Sequence, residues 1–430
     1  MTATAGPVLV APDKFKGTLS GAEVAVAIAA GLRRAGVGEV DEVPLADGGE
    51  GTAAALLAVA GGRTVQVPAH DALGREVMGR VAILGDGVRA VVEAAEASGL
   101  WRLAPDELDA EGASSRGTGE LIAAALANGA REVLVAVGGT ASTDGGKGAL
   151  EALGARSEGR VPEPGGTAVP AVTTAPVGDA ASAEATAPAG EPASAEATAP
   201  VGEPASAEAT APVGEPASAE ATAPAGEPAP GETTAPAGLH GLHQTLGGAR
   251  LIVLADVNAP MCGPSGAARV FGPQKGADDA AVRRLEGRLE AWAGRARGTT
   301  GRDPAGHPGA GAGGGLAGGL WAFAGAEIRP GAAFVLDAAG FDRRLSRARA
   351  VVTGEGRLDA QTLSGKVVAA VAERARAAGV RCVAVVGESR LSASQASRLG
   401  LDVVEAAPGR TATAADLSDA AARLAASLRG

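Results

Sequence analysis

The sequence predicts a layered α/β protein that is interrupted by one long insert. Short apolar runs alternate with Ala-rich stretches through most of the 430 residues, a pattern typical of strands alternating with helices. Gly-rich polar turns follow most of the apolar runs, at the position where open α/β sheets place their ligands. A block of near-identical twelve-residue units breaks the pattern. We therefore look for function in the turns and treat the block separately.

The apolar runs define the candidate strands, which are Val8–Ala11, Thr64–Val67, Val81–Leu84, Ala90–Glu93, Glu132–Val137, Leu251–Ala255, Ala350–Thr353, Cys382–Val386 and Val403–Ala406. The stretches between them give the candidate helices, which are Gly21–Leu32, Gly119–Leu126, Asp278–Ala293, Lys366–Ala378 and Ala414–Leu428. Ser20 is followed by Glu23 three residues later. This spacing predicts a capping box, so the first helix should begin directly after Ser20.

Residues 175–234 are five copies of a twelve-residue unit close to APVGEPASAEAT. The unit has no aromatic residue, almost no branched aliphatic residue, and Pro twice in most copies. Such a segment can neither bury a core nor continue a helix beyond one turn. We predict a disordered Pro/Ala/Glu-rich insert over residues 163–238. A docking arm for another protein is the alternative.

Charge and cysteine content restrict the possible partners and the compartment. The net charge of −11 argues against nucleic acid or an anionic membrane as a partner, since both need a basic surface. The two cysteines are far apart in sequence, which fits a reducing compartment. No apolar run approaches the ~18 residues of a membrane span, and the N-terminus lacks a basic segment of the secretory type. We expect a cytoplasmic protein.

Lysine is rare in this chain and is found only at the turns. Lys and Arg together number 38, and only five are lysines, namely Lys14, Lys16, Lys147, Lys275 and Lys366. All five lie in or beside Gly-rich turns. A compact ammonium beside backbone N–H groups is typical of phosphate binding. The turns are therefore candidate phosphate sites.

Carboxylates occupy the same turns, at Asp13, Asp47, Asp144, Asp256, Glu355 and Asp359. Lysines, glycine loops and carboxylates together favour phosphoryl transfer from a magnesium nucleotide. The chain has no GxxxxGK[ST] motif, so a P-loop enzyme is excluded. Residues 309–314 match GxGxxG, but the preceding GRDPAGHP cannot form a buried strand, which disfavours a nicotinamide enzyme.

These motifs resemble the signature blocks of the glycerate kinase family, which phosphorylates D-glycerate with ATP. The main blocks, in order, are APDKFKGTLS from Ala11, PLADGGEGT from Pro44, the Gly138–Gly146 turn, VFGPQKG from Val270 and GEGRLDAQTLSGK from Gly354. The resemblance covers residues 7–408 apart from the insert. It implies two α/β domains, one Rossmann- or flavodoxin-like and the other inserted into it, with the active site in the interdomain cleft.

Plausible hinges near residues 70 and 300 set the predicted domain boundaries. Residues 1–70 with 300–430 would form the discontinuous Rossmann/flavodoxin-like domain, and residues 71–299 the inserted domain, itself interrupted by the insert over 163–238. The resemblance implies transfer of the ATP γ-phosphate to D-glycerate with Mg²⁺, giving 2-phosphoglycerate and ADP. A 3-phosphoglycerate product is one alternative, and a non-enzymatic phosphate- or nucleotide-binding protein with a repeat interaction arm is another. The expected partners are D-glycerate and ATP, and a homodimer stays open.

Position within the turns assigns candidate roles. Asp47 lies between the apolar residues 43–46 and two glycines, where a substrate can approach closely, so it is the candidate base. Asp144 is the alternative base, and Lys16 is expected near the transferred phosphate. The candidate substrate ligands are Asp13, Asp256, Asn258, Lys275 and Arg357, with Arg357 favoured for bidentate capture of a carboxylate. The candidate nucleotide or phosphate ligands are Gly138, Gly139, Thr140, Ser142, Gly145, Gly146 and Lys366, and the candidate metal ligands are Glu355 and Asp359.

Overall fold

A computed structural model of the chain describes residues 6–155, 239–359, 362, 366–407 and 411–428. These residues form two β-sheets flanked by helices, which confirms the predicted α/β class. The insert predicted over 163–238 lies outside the described residues. In the part of the chain that the structure describes, no helix is both long enough and apolar enough to cross a membrane.

The strands divide between the sheets by their position in the chain. The first sheet has the order β11-β10-β9-β1-β2, where β1 is Val8–Val10, β2 Val40–Glu42, β9 Ala350–Leu358, β10 Arg381–Ser389 and β11 Leu401–Glu405. The second sheet has the order β3-β4-β5-β6-β7-β8, where β3 is Gly62–His70, β4 Glu76–Leu84, β5 Arg89–Glu93, β6 Glu132–Ala136, β7 Arg250–Leu254 and β8 Glu327–Arg329. The first sheet is parallel throughout. The second is parallel from β5 to β8, and β3 and β4 are antiparallel to their neighbours.

The helices follow the strands in alternation. They are α1 (Gly21–Arg34), α2 (Thr52–Ala60), α3 (Ala95–Ser98), α4 (Arg116–Ala127), α5 (Lys147–Ala152), α6 (His240–Leu246), α7 (Ala267–Phe271), α8 (Asp279–Thr300), α9 (Leu316–Ala324), α10 (Gly331–Ala338), α11 (Phe341–Leu345), α12 (Val367–Ala377), α13 (Ala393–Leu399) and α14 (Ala414–Leu428). Ser20 and Glu23 form the predicted capping box at the start of α1.

The burial of the central strand β1 on both faces explains why its residues are all apolar. Val8 and Val10 pack into the core that contains Ile28 of α1 and Leu424 of α14. Leu9 points to the opposite face and packs into the core that contains Val371 of α12. Parallel strands covered by helices on both faces are buried on both sides. The apolar run in the sequence is the consequence.

One face of the second sheet packs against α2 and α10, two helices that also contribute residues to a core of the first sheet. Leu134 of β6 and Ile252 of β7 share a core with Leu56 of α2, and Phe334 of α10 packs on its edge. The loop after β2 lies against the carboxyl ends of β6 and β7, because a Cβ on Gly49 would lie 3.3 Å from the Gly138 Cα and one on Gly48 would lie 3.0 Å from the Leu254 Cβ. This arrangement places the predicted functional turns near one another.

All of the predicted strands and helices overlap an observed element of the same type. The prediction missed β2 and β8, each of three residues. Both are short and mix charged with apolar residues, so neither gives an apolar run. The domain boundaries at residues 70 and 300 stay a prediction. The strands of the second sheet lie between Gly62 and Arg329.

Candidate functional site

A cavity of about 150 Å³ lies where turns from both sheets meet. Its polar side chains come from Asp47, Thr140, Asp256, Gln274, Lys275 and Lys366. Glycines form much of the remaining wall, namely Gly48, Gly49, Gly138, Gly139, Gly313 and Gly314. A cavity of this volume accepts a ligand the size of benzene. The site therefore fits a small molecule or one charged group of a larger ligand.

The turn that carries Asp47 is held between two other backbone segments. A Cβ on Gly138 would lie 2.8 Å from the Gly49 Cα. A Cβ on Gly331, at the start of α10, would meet the Gly48 Cα at a similarly short distance. Gly48 itself has φ +76°, a conformation that glycine adopts without strain. Glycine at these positions lets the Asp47 turn pack directly against the end of the second sheet.

Lys14 and Asp47 form an ion pair next to a second carboxylate. Lys14 Nζ donates to Asp47 Oδ1 (3.2 Å) and to the Glu50 carbonyl oxygen (2.6 Å). Burial opposes ionisation of Asp47, but the Lys14 ammonium keeps the Asp47 pKa below its usual value. Burial also opposes ionisation of Lys14, and Asp47 and Asp13 nevertheless raise the Lys14 pKa. Both members of the pair are therefore charged at neutral pH.

Asp13 is the uncompensated member of this group. Its side chain is buried, and one oxygen accepts a hydrogen bond from the Lys14 backbone N–H (2.7 Å). Burial and the nearby charge of Asp47 raise the Asp13 pKa to about 7. The pKa of Asp13 is thus raised and that of Asp47 is lowered, although the two carboxylates interact with each other. A split of this kind is typical of sites that handle protons.

Two more carboxylates, the partly buried Asp256 and the buried Glu355, lie within electrostatic reach. Burial raises the pKa of Asp256 to about 7, with a further contribution from Asp47, although the Ala332 N–H donates to its carboxylate (2.9 Å). Burial likewise raises the pKa of Glu355 to about 7, and Thr362 Oγ1 donates to it (2.6 Å). The predicted residues Asp13, Asp47, Asp256 and Glu355 are therefore brought together.

Two predicted lysines line the cavity. Lys275 is only 2% exposed, and its Nζ donates to the Ser142 carbonyl oxygen. Burial lowers the Lys275 pKa to about 7. Lys366 lies at the N-cap of α12, and its charge lowers the pKa values of Asp13, Asp47 and Glu355. The cavity wall thus carries both cations and carboxylates.

The predicted glycine turn contributes in two ways. Gly138, Gly139 and Thr140 line the cavity. Gly145 instead packs on α8, because a Cβ there would lie 2.5 Å from Trp292 Cδ1. Gly146 packs against Leu316 of α9. The first part of the turn is available to a ligand, and the second part anchors helices.

Ser142 supports the cavity from behind its wall. Its carbonyl oxygen is the acceptor for Lys275. Its hydroxyl is fully buried and has no hydrogen-bond partner in the part of the chain that the structure describes.

Four further predicted polar residues do not line the cavity. Lys16 and Asn258 are exposed in the loops after β1 and β7. Arg357 has about half its side chain exposed and pairs with Glu388 (3.1 Å). Asp144 accepts hydrogen bonds from the helix ends of α4 and α5. Their predicted roles stay predictions.

The structure places two residues, Lys14 and Gln274, in positions that the sequence did not predict for them. Lys14 had a usable signal, because it belongs to the small set of lysines at glycine turns, but its pairing with Asp47 spans 33 positions. Gln274 lines the cavity next to Lys275. Its signal was its place in the turn before α8.

The predicted metal ligands lie at the end of β9. The charge of Asp359 contributes to the raised pKa of Glu355, so the two carboxylates are near each other. Within the described ranges, no group of three or more His, Cys, Asp or Glu side chains is arranged to hold a metal ion by itself.

The chain matches the model of the glycerate kinase family over residues 8–183 and 232–429. It is 32% identical over 404 residues to a glycerate kinase from Bacillus subtilis, covering 92% of this chain and 89% of the relative. It is 31% identical to a glycerate 2-kinase from Escherichia coli, with the same coverage of both chains. A crystal structure from Salmonella typhimurium LT2, described as a glycerate kinase 2, superposes with a TM-score of 0.69 at 29% identity over 99% of both chains.

Proposed function

Because the chain belongs to the glycerate kinase family and is thus a phosphotransferase with an alcohol group as acceptor, we propose that it transfers the ATP γ-phosphate to D-glycerate, giving 2-phosphoglycerate and ADP. The observation that carries the proposal is an ionised carboxylate, Asp47, in the wall of a small cavity that also holds Lys275 and Lys366. The name of the Escherichia coli relative supports the 2-hydroxyl as acceptor. The alternative product is 3-phosphoglycerate.

Asp47 is the best placed group to take the hydroxyl proton. Its Oδ1 accepts hydrogen bonds from Lys14 Nζ and from the Gly49 N–H (3.2 Å). Among the described residues, none donates to Oδ2, so this oxygen can face a ligand in the cavity. A carboxylate within hydrogen-bond distance of the hydroxyl can orient it and accept its proton as the new P–O bond forms.

The lysines supply the charge that anionic ligands need. Glycerate carries a carboxylate, and the transferred group carries phosphate oxygens. Lys366 and a protonated Lys275 can each offer an ammonium to such oxygens at the cavity wall. The backbone of Gly138, Gly139 and Thr140 lines the same space, where close approach of a phosphate is sterically possible.

The carboxylates of the site fit a magnesium ion. Asp13, Asp256 and Glu355 all have pKa values raised to about 7, first because they are shielded from water and then because other carboxylates lie nearby. Carboxylate oxygens are the ligands that Mg²⁺ prefers, usually one or two of them together with phosphates and water. We assign Glu355 and Asp359 as its protein ligands. Bound Mg²⁺ would neutralise negative charge on the nucleotide phosphates.

The test is an assay of ADP release with purified protein, ATP, Mg²⁺ and D-glycerate, followed by NMR of the product. We expect ADP release that depends on D-glycerate and a product phosphorylated at carbon 2. Phosphorylation at carbon 3 would support the alternative product. Absence of glycerate-dependent turnover would overturn the proposal.

A further inference from the structure

Lys14 contacts the candidate base from outside the cavity. Asp47 contributes to the cavity wall, whereas Lys14 is absent from that wall and lines a neighbouring groove with Phe15, Leu45 and Glu50. Both residues are partly buried, with 18% and 27% of their side chains exposed. Lys14 can therefore influence a ligand in the cavity through Asp47.

The two hydrogen bonds of Lys14 fix the Asp47 turn at both ends. Nζ donates to Asp47 Oδ1 and also to the carbonyl oxygen of Glu50. The side chain thus connects the loop after β1 with the loop after β2. The Gly49 N–H donates to the same Oδ1. Both donors hold one carboxylate oxygen, which leaves Oδ2 as the oxygen for a substrate.

The electrostatic surroundings of Asp47 favour a cation at the position of Lys14, whose charge is the largest of the influences that lower the Asp47 pKa. The charged groups that act on the Lys14–Asp47 pair are Asp13, Glu50, Glu93, Asp256 and Lys366. All of these except Lys366 are acidic. Without Lys14, Asp47 would face the carboxyl groups of Asp13 and Asp256 with Lys366 as the remaining cation of the set.

From this geometry we infer that Lys14 is a positioning residue, which orients Asp47 Oδ2 toward the cavity and keeps Asp47 ionised. The inference rests on the proposed function, in which Asp47 accepts the hydroxyl proton. It assigns Lys14 no contact with glycerate or with the nucleotide. It predicts that loss of the ammonium changes kcat and its pH dependence and leaves the KM for ATP nearly unchanged.

The experiment compares Lys14→Met, which keeps the chain length without the charge, with Lys14→Arg, which keeps the charge. We expect Lys14→Met to lower kcat about tenfold or more, because a tenfold loss corresponds to one misplaced or weakened interaction of ~1.4 kcal/mol. The acidic limb of its kcat profile should move to higher pH, since Asp47 then protonates more readily. Lys14→Arg should recover most of both changes. Arg34→Met, which removes an exposed ion pair with Asp419, is the control for loss of a cation elsewhere.

A double-mutant cycle separates action through Asp47 from other effects. We expect Lys14→Met to have little further effect on kcat in the Asp47→Asn background, because residues that act as a unit are not additive. Unfolding curves of each variant identify losses that come from stability. Fully additive effects, or an acidic limb that does not move in Lys14→Met, would overturn the inference. If the wild-type protein fails to phosphorylate D-glycerate, it is the proposed function that fails.

Discussion

Two turns of this protein have the same tripeptide and use it differently. Asp47-Gly48-Gly49 precedes α2, and Asp144-Gly145-Gly146 precedes α5. In both turns the Asp Oδ1 accepts the N–H of the second glycine, at 3.2 Å in one and 3.0 Å in the other. The two turns thus share the hydrogen bond of an Asx turn, although the second glycine has a positive φ only in the Asp144 turn. The difference lies in what else each carboxylate contacts.

Both carboxylate oxygens of Asp144 accept hydrogen bonds from the protein, and Asp144 lines a separate cavity beside α8 with Lys147 and Arg288. Its Oδ2 accepts hydrogen bonds from the Ser115 N–H (2.9 Å), the Ser115 hydroxyl (2.8 Å) and the Gly148 N–H (3.1 Å). These donors belong to the first turns of α4 and α5 or their caps. Asp47 Oδ2 has no such donor among the described residues, and Asp47 lines the cavity between the two sheets. The comparison teaches that one Asp-Gly-Gly turn joins helices and the other presents a carboxylate.

The largest expected effect is that of Asp47→Asn. An amide cannot accept the hydroxyl proton as a base, so we expect kcat to fall by roughly 10²-fold or more, the usual scale for loss of a general base. Nucleotide affinity should be retained, which an equilibrium binding measurement with ATP would check. Normal turnover by this variant would exclude Asp47 as the base.

Asp144→Asn should mainly change stability. If the amide oxygen takes the Oδ2 position, its NH₂ group faces the Gly146 N–H and leaves two donors opposed. An unpaired buried group of this kind costs about 1–3 kcal/mol. We expect the free energy of unfolding to fall by that amount while kcat changes by less than about threefold, a small effect on the barrier.

The Asp47→Asn and Asp144→Asn variants together decide which of the two turns carries the base. If Asp144→Asn is inactive with ATP affinity preserved and Asp47→Asn is active, their roles must be exchanged. If both variants are active, the base lies elsewhere.

Gly138→Ala tests whether backbone packing positions the Asp47 turn. The new Cβ would lie 2.8 Å from the Gly49 Cα, so the turn must shift because only backbone is in contact. Small displacements of reacting groups can cost up to ~10²-fold in rate, and we expect about a tenfold loss of kcat here. Steady-state kinetics give the result.

Gly31→Ala is the matched control for this glycine. Its Cβ would clash with the Ser418 carbonyl oxygen at the contact of α1 and α14. We expect this variant to lose stability and keep kcat. Equal kinetic effects of the two substitutions would show that Gly138 has no special relation to Asp47.

The sequence allowed the buried strands and the functional turns to be predicted, because both depend on local residue patterns. Val8–Val10 is buried on both faces and is therefore a continuous apolar run, whereas β2, with the sequence Val-Asp-Glu, is partly exposed and has no such pattern. Asp47 and Asp144 could not be ranked, because their partners Lys14 and Ser115 lie 33 and 29 positions away. Long-range partners depend on strand register and helix packing, which local patterns do not encode.

The last prediction concerns Lys275, which connects the two turns. It lines the cavity with Asp47, donates to the carbonyl oxygen of Ser142, and is influenced by the charge of Asp144. Burial lowers its pKa to about 7 in the folded protein, whereas a lysine in an unfolded chain titrates near ~10.4. The unfolded state therefore binds more protons between these values, and the contribution of Lys275 to stability increases as the pH rises through this range.

Lys275→Met should reveal this dependence as a change of slope. Methionine does not titrate, so the variant avoids the cost of burying a lysine that is protonated in the unfolded chain. Its free energy of unfolding, relative to that of the wild type, should be highest at pH 6 to 7 and should decrease toward pH 10. The difference should change by up to about 1.4 kcal/mol per pH unit, the maximum for one proton. Asp13, Asp256 and Glu355, whose pKa values are raised to about 7, titrate at the lower end of this range, and their contribution is common to both proteins. Denaturant unfolding at several pH values from 6 to 10 measures this difference in free energy. A difference that is constant across the range would contradict the prediction, because it would show that Lys275 stays a protonated ammonium when it is buried between the two turns.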